Sequence, residues 1–169
     1  MSKLFSLLSK FMLIGALGFL AACGDAESDS STKAPDVTFH SLEGEDISMA
    51  SLQGKVVLVK FWATDCTTCV AQMPDTSQYA RDYADKGFEV IGVAMKHDPE
   101  EYVRNFTSSR QLPFTVARDA DGSIAKAFGD VRLTPTAFLI DKQGNILRRY
   151  VGNYDKQTFI NTLEKALAS

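Results

Sequence analysis

The chain has 169 residues, 45% apolar and 23% charged, with a formal net charge of −3. That length and composition support one domain with a packed core and exclude a disordered polar chain. No Lys/Arg cluster occurs, which argues against nucleic acid as a partner. In chain order, Lys3 and Lys10 flank the start of an apolar run, Phe11 to Leu20, followed by the small residues Ala21 and Ala22. This is the pattern of a bacterial export signal. The run is about half the ~20 residues that span a bilayer, so export and cleavage are a better reading than a membrane anchor.

Leu20-Ala21-Ala22-Cys23 resembles the lipobox of bacterial lipoproteins. In that family the Cys is acylated and becomes the mature N-terminus, so the resemblance implies lipid on Cys23 and a tether to a membrane. Gly24, in place of the Asp that resembles an inner-membrane retention signal, leans weakly toward the outer membrane in a host with two; both stay open. Gly24 to Pro35 is rich in Ser, Asp and Ala with no large apolar residue, and reads as a flexible tether. The expected organisation is a signal segment 1–22, a lipidated Cys and tether 23–35, and a folded domain 36–169. Loss of residues 1–22 removes two lysines and no acid, which leaves 16 basic and 21 acidic residues and a mature charge near −5.

Within the domain, Val37 to His40 reads as a short strand, Leu42 to Ile47 as a hairpin turn and Ser48 to Leu52 as a connection. Val56 to Trp62 is β-branched and almost continuously apolar, as a central parallel strand should be. A helix is expected from Thr67, kinked at Pro74 and ended by Lys86-Gly87. Phe88 to Met95 is a second buried strand. Pro99 suits the first turn of a helix running to about Ser109. Leu112 to Val116 reads as a short extended segment and Ser123 to Phe128 as a short helix. Thr136 to Asp141 and Ile146 to Tyr150 form a hairpin, and Tyr154 to Ala168 is an amphipathic helix. The order implies an α/β fold, a mixed sheet with helices on both faces.

Three cysteines are present: Cys23, Cys66 and Cys69. Cys66 falls where a buried strand meets a helix. Unpaired N–H groups and the helix field favour negative charge there, which activates the first thiol as the attacking thiolate. Cys69 lies one turn later on the same face and can resolve a mixed disulfide. The alternatives are a metal half-site and inert core cysteines. Two thiols fall short of a four-ligand zinc site, and Val70 after Cys69 excludes the CxxCH haem-attachment pattern. The expectation is a redox dithiol with no metal and no other cofactor. His97 reads as a solvated loop residue, and the CxxC spacing does not suit copper delivery.

The segment Val59-Lys60-Phe61-Trp62-Ala63-Thr64-Asp65-Cys66-Thr67-Thr68-Cys69 resembles the FWAxxCxxC signature of the thioredoxin superfamily. With Thr64, Met73-Pro74 and Phe138 to Gly144, it is similar to the membrane-tethered TlpA-like and ResA-like thiol–disulfide oxidoreductases over about residues 35 to 168. That resemblance implies a thioredoxin-like fold and a cis peptide at Thr134-Pro135. It also implies a substrate-docking role for the Thr134 backbone, with Pro135 keeping an N–H away from the thiols. Trp62 is expected to pack near the dithiol and shape the docking surface. Two positions depart from the family pattern. Lys60 stands where many thioredoxins have a buried Asp; it either snorkels to the surface or tunes the pair by its charge. Asp65 replaces a large aromatic; it either caps the helix, is simply solvated, or tunes the redox poise.

The leading reading is an extracytoplasmic oxidoreductase on the periplasmic side of a membrane. It reduces disulfides of exported client proteins and is recharged by a membrane electron donor. Cytochrome c maturation is one client pathway the resemblance suggests. The alternatives are a peroxiredoxin-like peroxidase, whose motif needs a Thr three residues before the Cys where Ala63 stands, and a non-enzymatic binding module.

Overall fold

A computed structural model describes residues 32–169. The expected signal segment, Cys23 and most of the expected tether lie outside the described residues. The elements are β1 (Thr32–Lys33), β2 (Thr38–His40), β3 (Asp46–Ser48), β4 (Val56–Trp62), α1 (Thr67–Tyr83), β5 (Phe88–Ala94), α2 (Glu100–Arg110), β6 (Thr115–Arg118), α3 (Ser123–Ala127), β7 (Thr136–Ile140), β8 (Asn145–Val151) and α4 (Lys156–Ala168). A 3-10 turn, Met49–Leu52, follows β3. Six strands form one sheet in the order β1-β8-β7-β4-β5-β6, and β2 and β3 pair as a separate hairpin. β5 runs parallel to β4 and β6, while β7 is antiparallel to β4 and β8. This is the mixed, helix-flanked sheet of a thioredoxin-like α/β fold.

Every residue of β4 is buried, so its side chains feed both layers by the two-residue period of a strand. Val57, Val59 and Phe61 face a layer built by the β2–β3 hairpin, the Met49–Leu52 turn and α3; Phe128, the cap at the end of α3, lies edge-on to Phe61 at 5.5 Å. Val56 and Leu58 face α1 and α4, packing with Tyr79, Tyr83, Phe159 and Leu163. Lys60 and Trp62 belong to that second face by the same alternation. Trp62 joins Cys69, Met73 and Val103 in a third cluster at the end of the sheet.

The structure differs from expectation at several edges. Thr32 and Lys33, read as part of the tether, pair with Ile146 and Asn145 of β8, and the Ala34 N–H donates to Gly144 O at 2.9 Å. The chain is drawn onto β8 because that strand otherwise ends the sheet with unpaired backbone groups. The extended segment expected at Leu112 to Val116 becomes a strand only from Thr115, because Pro113 has no N–H for the ladder. Pro99 occupies the cap of α2 rather than its first turn. Pro74 lies inside α1 without ending it.

Gly92 of β5 pairs with Lys60 and has a spatial reason to lack a side chain. A Cβ there would lie 3.0 Å from a Phe114 ring carbon and 3.3 Å from Trp62 Nε1. Gly92→Ala should therefore push Phe114 and Trp62 out of register with β5. We expect a loss of about 1–3 kcal/mol, as for other overpacked cores. Urea unfolding followed by emission of Trp62, the single tryptophan, checks this; an unchanged midpoint would show that Phe114 yields freely.

Candidate active site

β4 delivers the chain to the redox pair. After Trp62 the strand ends, the Cys66 N–H donates to Ala63 O at 3.2 Å, and α1 begins at Thr67. Cys66 is the N-cap of α1, with its Sγ accepting the Cys69 N–H at 3.2 Å. A sulfur in that position receives one of the free N–H groups of the helix start, an arrangement that favours negative charge on it. Cys66 and Cys69 are joined as a disulfide, with Cα atoms 5.2 Å apart. Cys66 is half-buried and Cys69 is fully buried. The sulfur open to an incoming thiol is thus the one at the helix terminus.

The loop ahead of the pair is clamped by a residue that the sequence did not single out. Asp98, 2% exposed, accepts from both the backbone N–H and the hydroxyl of Thr64, each at 2.6 Å. Its own carbonyl accepts from Arg118 Nε at 3.2 Å. A buried carboxylate with two short hydrogen bonds fixes Thr64, and through it the approach to Cys66. Asp65 points outward instead, with its side chain 75% exposed and 3.6 Å from His97 Nε2. The helix-capping role expected as one option for Asp65 is filled by Cys66, because the cap position falls one residue later.

Trp62 is fully buried, with its ring 5.3 Å from Phe106. It packs in the cluster that holds Cys69 and lines no part of the surface. Its Nε1 has no hydrogen-bond partner among the described residues. The Thr134–Pro135 peptide is cis. Phe61 pairs with Thr136, and continuing that register sets Pro135 beside Trp62, at the end of β4 where the redox loop starts. Pro135 is buried, Thr134 is half-buried, and the Thr136 hydroxyl closes the turn by donating to Leu133 O at 2.7 Å.

Lys60 does not snorkel. It is 0% exposed, because α1 and Tyr154 cover its face of the sheet and leave the stem no route to water. Its Nζ donates to Gln72 Oε1 at 2.7 Å and lies 5.8 Å from the centre of the Tyr154 ring. Burial lowers Lys60 from 10.5 to about 8, opposed by the negative charge of Asp75. Burial also pushes the Tyr154 hydroxyl well above its ordinary range. Among the described residues, no group of His, Cys, Asp and Glu is placed to hold a metal ion. The redox function rests on the disulfide pair itself.

The profile of the Redoxin family matches residues 29–167. The chain belongs to the Redoxin family. This Redoxin-family chain is 34% identical over 167 residues to the thiol–disulfide oxidoreductase ResA of Bacillus thuringiensis subsp. konkukian, covering 96% of this chain and 95% of that protein. The ResA of Bacillus anthracis is 35% identical over the same span. Among solved structures, a putative thioredoxin from Neisseria meningitidis shares 41% identity with a TM-score of 0.77, covering 82% of this chain and 92% of that one. A thioredoxin-family thiol:disulfide interchange protein from Chlorobium tepidum shares 31% identity with a TM-score of 0.73, covering 81% and 97%. A disulfide-forming pair at this junction of a thioredoxin-like Redoxin fold supports thiol–disulfide oxidoreductase activity.

Besides Asp98, sequence reasoning missed Gln72 and Tyr154, the side chains that meet Lys60. An ionisable residue in an otherwise apolar strand was the available signal, since a buried Lys must find an acceptor. Two predictions follow from these contacts. Asp98→Ala removes two hydrogen bonds to a carboxylate and should cost about 3 kcal/mol; a thermal melt unchanged from wild type would exclude the clamp. For Lys60, a folded pKa below the unfolded one means that the unfolded chain binds more protons between pH 8 and 10.5. The penalty for Lys60 is therefore full below pH 8 and is relieved as pH rises to 10.5. Lys60→Met should stabilise the protein at neutral pH by on the order of 2 kcal/mol, after allowance for the orphaned Gln72 carbonyl. The gap between the two proteins should shrink at alkaline pH in denaturant titrations; a gap independent of pH would contradict the burial of a charged Lys60.

Proposed function

We propose that this chain is an exported thiol–disulfide reductase, tethered by lipid on Cys23 to the periplasmic side of a bacterial membrane. The observation that carries the reading is the asymmetry of the pair. Cys66 is half-buried at the start of α1, and Cys69 is sealed behind it.

In the reduced protein the Cys66 thiolate attacks a client disulfide. One S–S bond breaks and a mixed disulfide forms, with the released client sulfur leaving as a thiolate that takes up a proton. Cys69 then gives up its proton and attacks Cys66 Sγ, which releases the second client thiol and leaves the Cys66–Cys69 disulfide. Two electrons pass to the client. A membrane electron donor returns two electrons, and one proton from water restores the Cys69 thiol beside the Cys66 thiolate to restart the cycle.

The Thr134 backbone pairs with the client segment, Pro135 keeps that face free of a competing N–H, and Trp62 supports the surface from below. Lys60 and Asp65 adjust the charge around the sulfurs. Exported proteins whose cysteines must stay reduced are the client class, and apocytochrome c before haem attachment is one example. Its maturation fits inner-membrane anchoring better than outer.

Cys69→Ser in the full-length protein, expressed in its native membranes, should accumulate clients as mixed disulfides on Cys66. Cys66→Ser should trap none. If Cys69→Ser captures no protein while the wild type consumes peroxide, the peroxidase reading replaces this one.

A further inference from the structure

α1 carries the two cysteines, and the loop bearing Pro135 comes from a distant part of the chain. A line of hydrogen bonds joins them through Gln72. Lys60 Nζ donates to Gln72 Oε1 at 2.7 Å. Gln72 Nε2 donates to Gly152 O at 3.1 Å and to Asn153 Oδ1 at 3.2 Å. The Gly152 N–H donates in turn to Pro135 O at 2.8 Å. Gln72 lies one turn beyond Cys69 on α1, and Gly152 follows the last residue of β8.

The chemistry of the amide gives this line a direction. A primary amide has an accepting end and a donating end. An ammonium only donates, so it holds Oε1 toward Lys60. Both amide N–H groups are then left for Gly152 O and Asn153 Oδ1, which only accept in these contacts. Turned around, the amide would set Oε1 against the Gly152 carbonyl and Nε2 against an ammonium, and each contact would be repulsive. A hydroxyl or a second amide at position 60 would accept or donate and would leave both orientations open.

We propose that Lys60 is a positioning residue: its ammonium fixes the orientation of the Gln72 amide, and Gln72 thereby straps the end of β8 and the Pro135 loop to the redox helix. The consequence for client docking rests on the oxidoreductase reading, whereas the strap itself does not. Among the described residues, no other group near Lys60 does this work. Its strand partners Gly92 and Ala137 offer no polar side chain. Tyr154 presents its ring. Asp75 acts on Lys60 at longer range and is paired with Lys156, and Tyr79 packs against Phe159 within the apolar layer. A neutral amine can both donate and accept, so the strap should hold its orientation below about pH 8 and lose it above.

Amide hydrogen exchange on the oxidised full-length protein tests this without titrating thiols. The protection factor of the Gly152 amide reports the strap. In wild type it should fall about tenfold as pH rises from roughly 7 to roughly 9. In Lys60→Met and in Gln72→Met it should be about tenfold lower at pH ~7 and independent of pH. Protection in Lys60→Met within about twofold of wild type at neutral pH, or the same pH step in both, would overturn the proposal. With the reduced enzyme and a scrambled protein disulfide, Gln72→Met should raise KM several-fold more than it lowers kcat; a fall in kcat as large as the rise in KM, or larger, would overturn the docking consequence. Wild-type enzyme that reduces no protein disulfide would sink the reductase reading, with the exchange data still deciding the strap.

Discussion

Everything at the redox centre is referenced to β4, a strand buried along its whole length and hydrogen-bonded on both sides. Its C-terminal end sets where Cys66 begins α1. Its pairing with β7 sets where the Pro135 loop arrives, and its pairing with β5 sets where the Asp98 loop arrives. Three segments that are remote in sequence meet at one edge because they are neighbours in one ladder. A site assembled this way tolerates little shift in register, since a one-residue slip of a strand moves every side chain to the opposite face. For β4 that slip would put Lys60 and Trp62 among the apolar residues of the β2–β3 layer.

The two layers around β4 do different work. The layer with α3 and the β2–β3 hairpin is mostly apolar and anchors the sheet, with buried Asp119 capping the start of α3. The opposite layer grades from a plain aromatic core near Phe159 to a polar seam at Lys60 and Gln72, and then to the dithiol cluster around Trp62. Polar groups in that seam are costly unless each finds a partner. Gln72 meets the requirement by using its carbonyl and both amide hydrogens. The seam is thus specific where the aromatic core is merely cohesive, and it lies between the helix that carries the sulfurs and the loop that carries Pro135.

Legibility in the sequence followed the same division. β4, β5 and β7 were readable because buried central strands are continuous apolar, β-branched runs, and the redox motif was readable because its spacing is local. Thr134-Pro135 was identified only through family resemblance, since an isolated X–Pro gives no reason to expect cis. Asp98 and Gln72 were not readable. Each is an ordinary polar residue whose partners lie 34 and 80 residues away, so only the folded ladder shows what they hold. Lys60 was visible as an anomaly, but its burial was not, because burial depends on α1 and Tyr154 covering that face of the sheet. Thr32 and Lys33 failed for a related reason: a short polar stretch becomes a strand only when an open edge is available to it.

The two departures from the family pattern, Lys60 and Asp65, carry opposite charges, and their settings decide which has more leverage on the sulfurs. Asp65 stands in water beside His97, where unit charges about 4 Å apart interact by roughly 1 kcal/mol and salt screens them further. Its carboxylate therefore opposes a thiolate at Cys66 only weakly. Lys60 lies inside on β4, bonded to Gln72 one helical turn along α1 from Cys69, where the low dielectric strengthens each interaction its charge makes. The same burial brings its proton affinity close to the working range of pH, so that charge is conditional. The exposed acid acts through water, and the buried base acts through its hydrogen bond to Gln72. On the proposed strap, control of the site passes from the residue next to the nucleophile to a buried residue of β4, through the hydrogen bonds that hold helix and loop together.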